Sequence, residues 1–268
     1  LGQVNTPRQI AKRMARRLLS RRSPQPVTIL DPCAGPITFP SAMAESGLLA
    51  TGDKITAIDV DPEILFEVKQ PAPILRETMR RSIGDYLELV MDTQYDYAIL
   101  NPPYVRQEWL DKKEEYREMF RRRYGVDVPG TSNFYVYFLV KVISDLKPGG
   151  EFACILYDSW QSTLYGQWLS RFLDVNCDRL QVETIAGQPF RDRLIDATIL
   201  YGARERLGQI RAVDQASGSK AQPSGPLSTI EGFRPISSVF AARRGLRLKQ
   251  TSFFICQLAD CDRLGATP

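Results

Sequence analysis

The chain has no histidine among its 268 residues. Imidazole is therefore missing as a general base, and Ser-His and Cys-His catalysis are excluded within it. Five cysteines, Cys33, Cys154, Cys177, Cys256 and Cys261, show no paired CxxC spacing. With no histidine to complete a ligand set, a zinc site is not expected and no metal is assigned. The thiols are read as reduced and the protein as cytoplasmic. No apolar run approaches the length of a membrane span, so no membrane partner is expected. The first residue is Leu1 rather than Met and no signal peptide precedes it, so the sequence reads as a fragment or processed piece of an intracellular protein. A hydrophobic content of 43% suffices for a substantial core, of one large domain or of one domain with part of another.

A large charge of one sign is also lacking, since the net charge is only +4. The cations are nevertheless clustered. Residues 8 to 22 carry Arg8, Lys12, Arg13, Arg16, Arg17, Arg21 and Arg22 with no acid among them. Ile10, Met14 and Leu18 recur at helical spacing in the same stretch, so an amphipathic helix is expected, with Pro7 near its first turn. Arg121 to Arg123 form a second cluster, and Arg234, Arg243, Arg244, Arg247 and Lys249 a third. Separated clusters favour a polyanionic partner, although a solvated helix face explains the first equally well.

What is present is a rare turn, Asn101-Pro102-Pro103-Tyr104, at the end of the strand-like run Tyr95 to Leu100. Both proline rings fix φ, and Pro103 forces Pro102 into an extended conformation. The stiff turn can present the Asn101 side-chain oxygen and the Pro102 carbonyl as converging acceptors for the two protons of an exocyclic amine. Tyr104 offers a flat face beside them. In adenine the N6 lone pair is delocalised into the ring. Drawing both amine protons toward acceptors favours a pyramidal nitrogen able to attack a sulfonium methyl.

Around this turn the periodicity reads as a doubly wound, mostly parallel α/β sheet with its chemistry at the strand ends. Strand signals fall at Val27 to Leu30, ending in Asp31-Pro32, and at Ile55 to Ile58, ending in Asp59. Further strands are read at Tyr95 to Leu100, Phe152 to Tyr157, Gln181 to Ile185 and Ala197 to Tyr201. Helices are expected near Pro40 to Leu49, Gln107 to Tyr124, Phe134 to Leu146 and Tyr165 to Leu173, with Lys147-Pro148-Gly149-Gly150 as a turn. The stretch 206–228 is rich in Gly, Ser and Pro and reads as a linker between a domain at 1–205 and a piece at 229–268 too short to stand alone.

Taken in order, these motifs resemble the gamma class of amino-group DNA methyltransferases, the TaqI-like adenine-N6 enzymes of restriction-modification systems, over nearly the whole chain. The resemblance implies a Rossmann-like fold and S-adenosylmethionine as cofactor, with S-adenosylhomocysteine as product. It implies double-stranded DNA as partner, and a restriction or specificity component outside this fragment. Gly2-Gln3-Val4-Asn5-Thr6-Pro7 is similar to the family's N-terminal motif, which implies that Thr6 and Pro7 help hold the methionine end of the cofactor. Asp31-Pro32-Cys33-Ala34-Gly35 resembles the glycine-containing turn after the first strand, and Asp59 the acid that binds the ribose hydroxyls. Asp85 and Tyr86 resemble the pair that meets the cofactor's adenine. Asn101, Pro102 and Tyr104 take the catalytic positions, with Pro103 beside the target base. Phe190 matches an aromatic that stacks on the extruded adenine. Arg243-Arg244-Gly245-Leu246 and Thr251-Ser252-Phe253-Phe254 resemble the start of a target-recognition domain, of which 229–268 would be a truncated beginning.

One position departs from the pattern. The family usually has a second glycine two residues after the one matching Gly35, and this chain has Ile37. A β-branched residue in a left-handed conformation costs roughly 1 to 3 kcal/mol, so the turn is expected to stay at negative φ. Three other readings share parts of the pattern: a protein glutamine-N5 methyltransferase, an RNA adenine methyltransferase, and a catalytically silent DNA-binding component.

Overall fold

The computed structural model describes residues 5–105, 112–185, 197–206 and 209–213. The chain divides into two units, Leu1–Gln215 and Ala216–Pro268, and every described residue lies in the first. Most of the expected linker, the piece at 229–268 and the third basic cluster fall outside the described residues.

Among the described residues seven strands form one sheet: β1 Thr28–Asp31, β2 Lys54–Asp59, β3 Met79–Ile83, β4 Tyr95–Leu100, β5 Leu146–Tyr157, β6 Cys177–Thr184 and β7 Ala197–Arg204. Their order is β3-β2-β1-β4-β5-β7-β6. The first five strands pair in parallel, whereas β7 runs antiparallel to both β5 and β6. The chain moves outward from β1 to β3 and then returns to place β4 on the other side of β1. The ends of β1 and β4 therefore meet where the winding reverses, the crevice in which open α/β sheets bind ligands.

Among the described residues seven α-helices flank the sheet: α1 Arg8–Leu18, α2 Thr38–Glu45, α3 Pro62–Leu65, α4 Pro73–Thr78, α5 Lys113–Tyr124, α6 Tyr135–Asp145 and α7 Leu164–Asn176. Strand side chains alternate between two cores. Leu30, Ala98, Leu100, Cys154 and Leu156 pack on one face with α5, α6 and α7, through residues such as Phe120, Leu139 and Trp168. Ile29, Ile55, Ile99 and Ile155 pack on the other with α1 and α2, through Met14, Leu18 and Met43. The expected buried stripe of α1, Ile10, Met14 and Leu18, is in place.

The doubly wound, mostly parallel sheet is the one read from the sequence, and the differences have local causes. β3 went unread because Met79-Arg80-Arg81-Ser82-Ile83 is a polar edge strand without a clean alternation of burial. β5 begins at Leu146 rather than after the glycines, since Gly149 takes φ 81° within the strand and absorbs the irregularity. The expected start of the helix at Gln107 lies outside the described residues, and α5 is described from Lys113.

The basic stripe is largely paired inside the fold. Arg8 and Lys12 meet Glu45 of α2, Arg13 and Arg17 meet Glu183 of β6, and Arg22 meets Asp53. Arg17 also lies over the Tyr201 ring at 4.0 Å. In the second cluster Arg121 meets Glu118 and Asp127, and Arg123 donates to the Glu88 carbonyl at 3.0 Å. These cations therefore fasten helices to sheet and loop, which the sequence left open between phosphate contact and solvent.

The Arg22–Asp53 pair is the most enclosed of them. Asp53 accepts both guanidinium nitrogens at 2.7 and 2.9 Å, and also the amides of Val27 and Ala50 at 3.0 and 2.8 Å. It thus ties the end of the first helical segment to the starts of β1 and β2. Burial pushes its carboxyl up, but the Arg22 and amide hydrogen bonds outweigh this and hold it below the usual carboxylate range.

Candidate active site

Asn101 stands at the end of β4, beside the end of β1, in the crevice that the strand order creates. Its Nδ2 donates to Thr6 Oγ1 at 3.0 Å, and its Oδ1 accepts from the Tyr104 hydroxyl at 3.0 Å. The amide is assigned with nitrogen toward Thr6 and oxygen toward Tyr104. The Tyr104 hydroxyl also lies 2.7 Å from the Ile155 carbonyl of β5, so its single proton is shared between two acceptors. Thr6 is buried and Tyr104 is 8% exposed. Pro102 is buried and Pro103 half-buried. Pro7, adjoining Thr6, holds the N-cap position of α1 at φ −57°. The N-terminal motif and the Asn-Pro-Pro-Tyr turn are therefore one hydrogen-bonded unit. Thr6, expected at the cofactor, here contacts the Asn101 amide.

At the end of β1, Asp31 is fully buried, and neither carboxylate oxygen meets a hydrogen-bond donor in good geometry among the described residues. Burial first, then the charge of Asp59, pushes its carboxyl well above the usual range, opposed by the Cys33 amide. Asp59, at the end of β2, accepts from the Gly35 amide at 2.8 Å and the Asp61 amide at 3.0 Å. Each of its oxygens keeps a lone pair for a further donor. Asp61 caps α3, accepting from Glu63 and Ile64 at 2.9 and 3.3 Å, a structural role. Gly35 takes φ +50°, and a Cβ added there would meet only Ile64 at 4.0 Å, so its backbone is open to close approach.

Ile37 overturns an expectation. It takes φ 52°, ψ 41°, left-handed, as the residue before α2, rather than negative φ. Its side chain is fully buried against Ala34, Ala57 and Leu65. Burying an isoleucine contributes about 1.5 to 3 kcal/mol, which offsets a left-handed penalty of about 1 to 2 kcal/mol. Truncation separates the two effects. Ile37→Ala loses the burial and keeps the strain, whereas Ile37→Gly loses both. The glycine variant is therefore expected to melt above the alanine variant, the reverse of the ordinary order of these residues, as scanning calorimetry would read directly.

The Asp85-Tyr86 pair divides. Asp85 Oδ1 accepts from the Leu87 amide at 2.9 Å, and Oδ2 from the Tyr116 hydroxyl of α5 at 2.6 Å. Tyr86 turns the other way and is 1% exposed. Its hydroxyl donates to Asp145 at 2.7 Å, and the Lys141 ammonium lies 4.5 Å over its ring. Tyr86 packs in the core of this structure, and the aromatic that reaches Asp85 is Tyr116. Phe190 lies outside the described residues. The sequence reading missed Tyr116, Tyr135 and Tyr157, which surround the site from distant elements. A cavity of about 600 Å³ opens elsewhere, along β2 and β3 beside Met79 and Leu89, and none of Asp31, Asp59, Asp85 or Asn101 lines it. Among the described residues no group of three or more Cys, Asp or Glu is placed to hold a metal ion, and no helix is long and apolar enough to cross a membrane.

Residues 57–186 match the family described as Eco57I restriction-modification methylase. The chain is 27% identical over 208 residues to the type II methyltransferase M.AccI of Acinetobacter calcoaceticus, covering 77% of this chain and 37% of that protein. It is 26% identical over 173 residues to M.HincII of Haemophilus influenzae, covering 65% of this chain and 31% of that protein. It thus spans about a third of the length of these relatives. Among solved structures, the methyltransferase subunit of a type I restriction-modification system from Streptococcus thermophilus superposes with a TM-score of 0.61 at 17% identity, over 76% of this chain and 46% of that one. The chain shares the fold of this solved methyltransferase subunit, and its sequence likeness is to restriction-modification methylases, in line with the resemblance read from the motifs.

Proposed function

We propose that this chain is the methyl-transferring part of a restriction-modification protein and acts on the N6 of an adenine turned out of double-stranded DNA, with S-adenosylmethionine as methyl donor. The observation that carries the reading is the Asn101 amide, locked by Thr6 with its oxygen toward Tyr104 at the switch point of the sheet. An exocyclic amine has two protons to give, and Asn101 Oδ1 with the Pro102 carbonyl supply two acceptors. Acceptors fixed in advance stabilise positive charge developing on the nitrogen without reorganising during the step. The target lies inside a stacked duplex, so the base must be extruded to reach them.

The residues at the neighbouring strand ends fit the proposed cofactor. Asp59 has acceptor capacity for a pair of ribose hydroxyls, Gly35 leaves its backbone open, and Asp31 lies buried beside the same turn with acceptor capacity to spare. Asp85, held by Leu87 and Tyr116, offers a fixed carboxylate for the adenine amine. When bound, S-adenosylmethionine supplies an electrophilic methyl group on a sulfonium centre.

Thr6 gives this reading a specific test. Thr6→Val keeps the shape of the side chain but removes the acceptor for Asn101 Nδ2, so the amide loses its orientation. Methyl transfer from labelled cofactor to duplex DNA is expected to fall by roughly tenfold, the scale of one neutral hydrogen bond that positions the acceptor, with melting temperature nearly unchanged. A Thr6→Val protein with wild-type turnover would remove the lock from the account.

A further inference from the structure

The Tyr104 ring is not bare in this structure. Tyr157, the last residue of β5, stacks on it with ring centroids 3.6 Å apart and planes 7° from parallel. That separation is the thickness of one aromatic layer, so a base cannot occupy the same face while Tyr157 holds it. The rest of Tyr104 is anchored. Its hydroxyl is tied to Ile155 and Asn101, and Tyr135 meets it edge-on at 5.9 Å and 65°. Behind it lies the core cluster that includes Tyr135, Cys154 and Leu156, all fully buried, whereas Tyr157 is half-buried. Tyr157 is the less buried of the two stacked rings, with its hydroxyl oxygen enclosed.

We propose that Tyr157 is a displaceable place-holder: its ring occupies the face of Tyr104 on which the target base stacks, and it yields that face when the base enters. The inference rests on the reading of Asn101-Pro102-Pro103-Tyr104 as a base-amine site and adds a source of selectivity to it. A purine presents a larger π surface than a phenol ring and gains by replacing it. A pyrimidine presents no more surface than the ring it must expel. Competition with Tyr157 therefore favours purines before any hydrogen bond is read.

The test is a fluorescence titration of 2-aminopurine riboside and of the monocyclic 5-methylpyrimidin-2-one riboside into the chain, with S-adenosylhomocysteine at saturation. Removing the competitor in Tyr157→Ala is expected to tighten 2-aminopurine binding by about tenfold or more, the scale of one base-aromatic stack. It is also expected to narrow the preference for 2-aminopurine over the pyrimidinone. Tyr157→Phe, which keeps the stack, should bind as wild type, and adding Tyr104→Ala to Tyr157→Ala should abolish the gain. Should the alanine variant fail to fold, Tyr157→Leu fills the volume without a flat face and is held to the same criteria. Unchanged or weaker binding in a folded variant, or a gain that survives loss of Tyr104, would overturn the place-holder. A gain for the pyrimidinone alone would uphold displacement by a base while refuting adenine as the target, so the two ideas fail separately.

Discussion

Asn101→Ala is expected to lower the methylation rate by roughly 10²-fold or more, the usual consequence of removing one preorganised contact to a developing charge. The side chain ends at β4, half-buried, with Thr6 on its nitrogen and Tyr104 on its oxygen. Truncation removes the acceptor for the amine and releases both neighbours. Cofactor affinity should change little, because the proposed cofactor contacts run through Asp59, Gly35 and Asp85. A purely structural Asn101 gives a different pattern, in which melting temperature, cofactor affinity and rate fall together. Measuring all three on one preparation separates the cases.

The second large effect lies away from the chemistry, at Asp53. Its side chain is fully buried, while Arg22 remains 16% exposed. Asp53→Asn keeps the shape but leaves the guanidinium without its counter-ion and turns an amide group toward donors. Breaking a buried pair from one side costs about 3 to 5 kcal/mol, and the lower end applies here because Arg22 reaches some solvent. The wild-type pair also sets an acid limit. The folded carboxyl is held below its unfolded value, so its contribution is complete above the unfolded pKa of about 3.9. It is lost as pH falls through the folded value. Asp96 behaves alike, with burial raising its carboxyl but Lys147 and Thr28 holding it below the usual range. Denaturant titrations at pH 7 and pH 3 should show the Asp53→Asn deficit at pH 7 shrinking toward acid. A deficit that stays constant across that range would mean the charge contributes nothing.

Strand-end chemistry was legible in the sequence because it is local. Asp59 and Asn101 each follow an apolar run, and the sheet order puts those ends together without help from distant residues. Side-chain partners were less legible, since Thr6 meets Asn101 and Tyr116 meets Asp85 across folds of the chain that no spacing encodes. Tyr86 shows the limit of a motif read in pairs. Of two adjacent residues after a strand, one faces the crevice and the other the core, and the sequence does not say which. Ile37 was misread because the cost of its backbone was visible and the pocket that buries its side chain was not. The basic stripe was ambiguous for the same reason, as Glu45 and Glu183 are brought to it only by the fold.

Nucleoside analysis of DNA decides whether the proposed adenine-N6 methylation takes place. Unmethylated duplex DNA is incubated with the protein and S-adenosylmethionine, digested to nucleosides and analysed by mass spectrometry. N6-methyldeoxyadenosine is expected in wild-type reactions and should nearly disappear with Asn101→Ala. Methylated cytosine in its place, or no methylated nucleoside from a protein that binds the cofactor, would contradict the proposal.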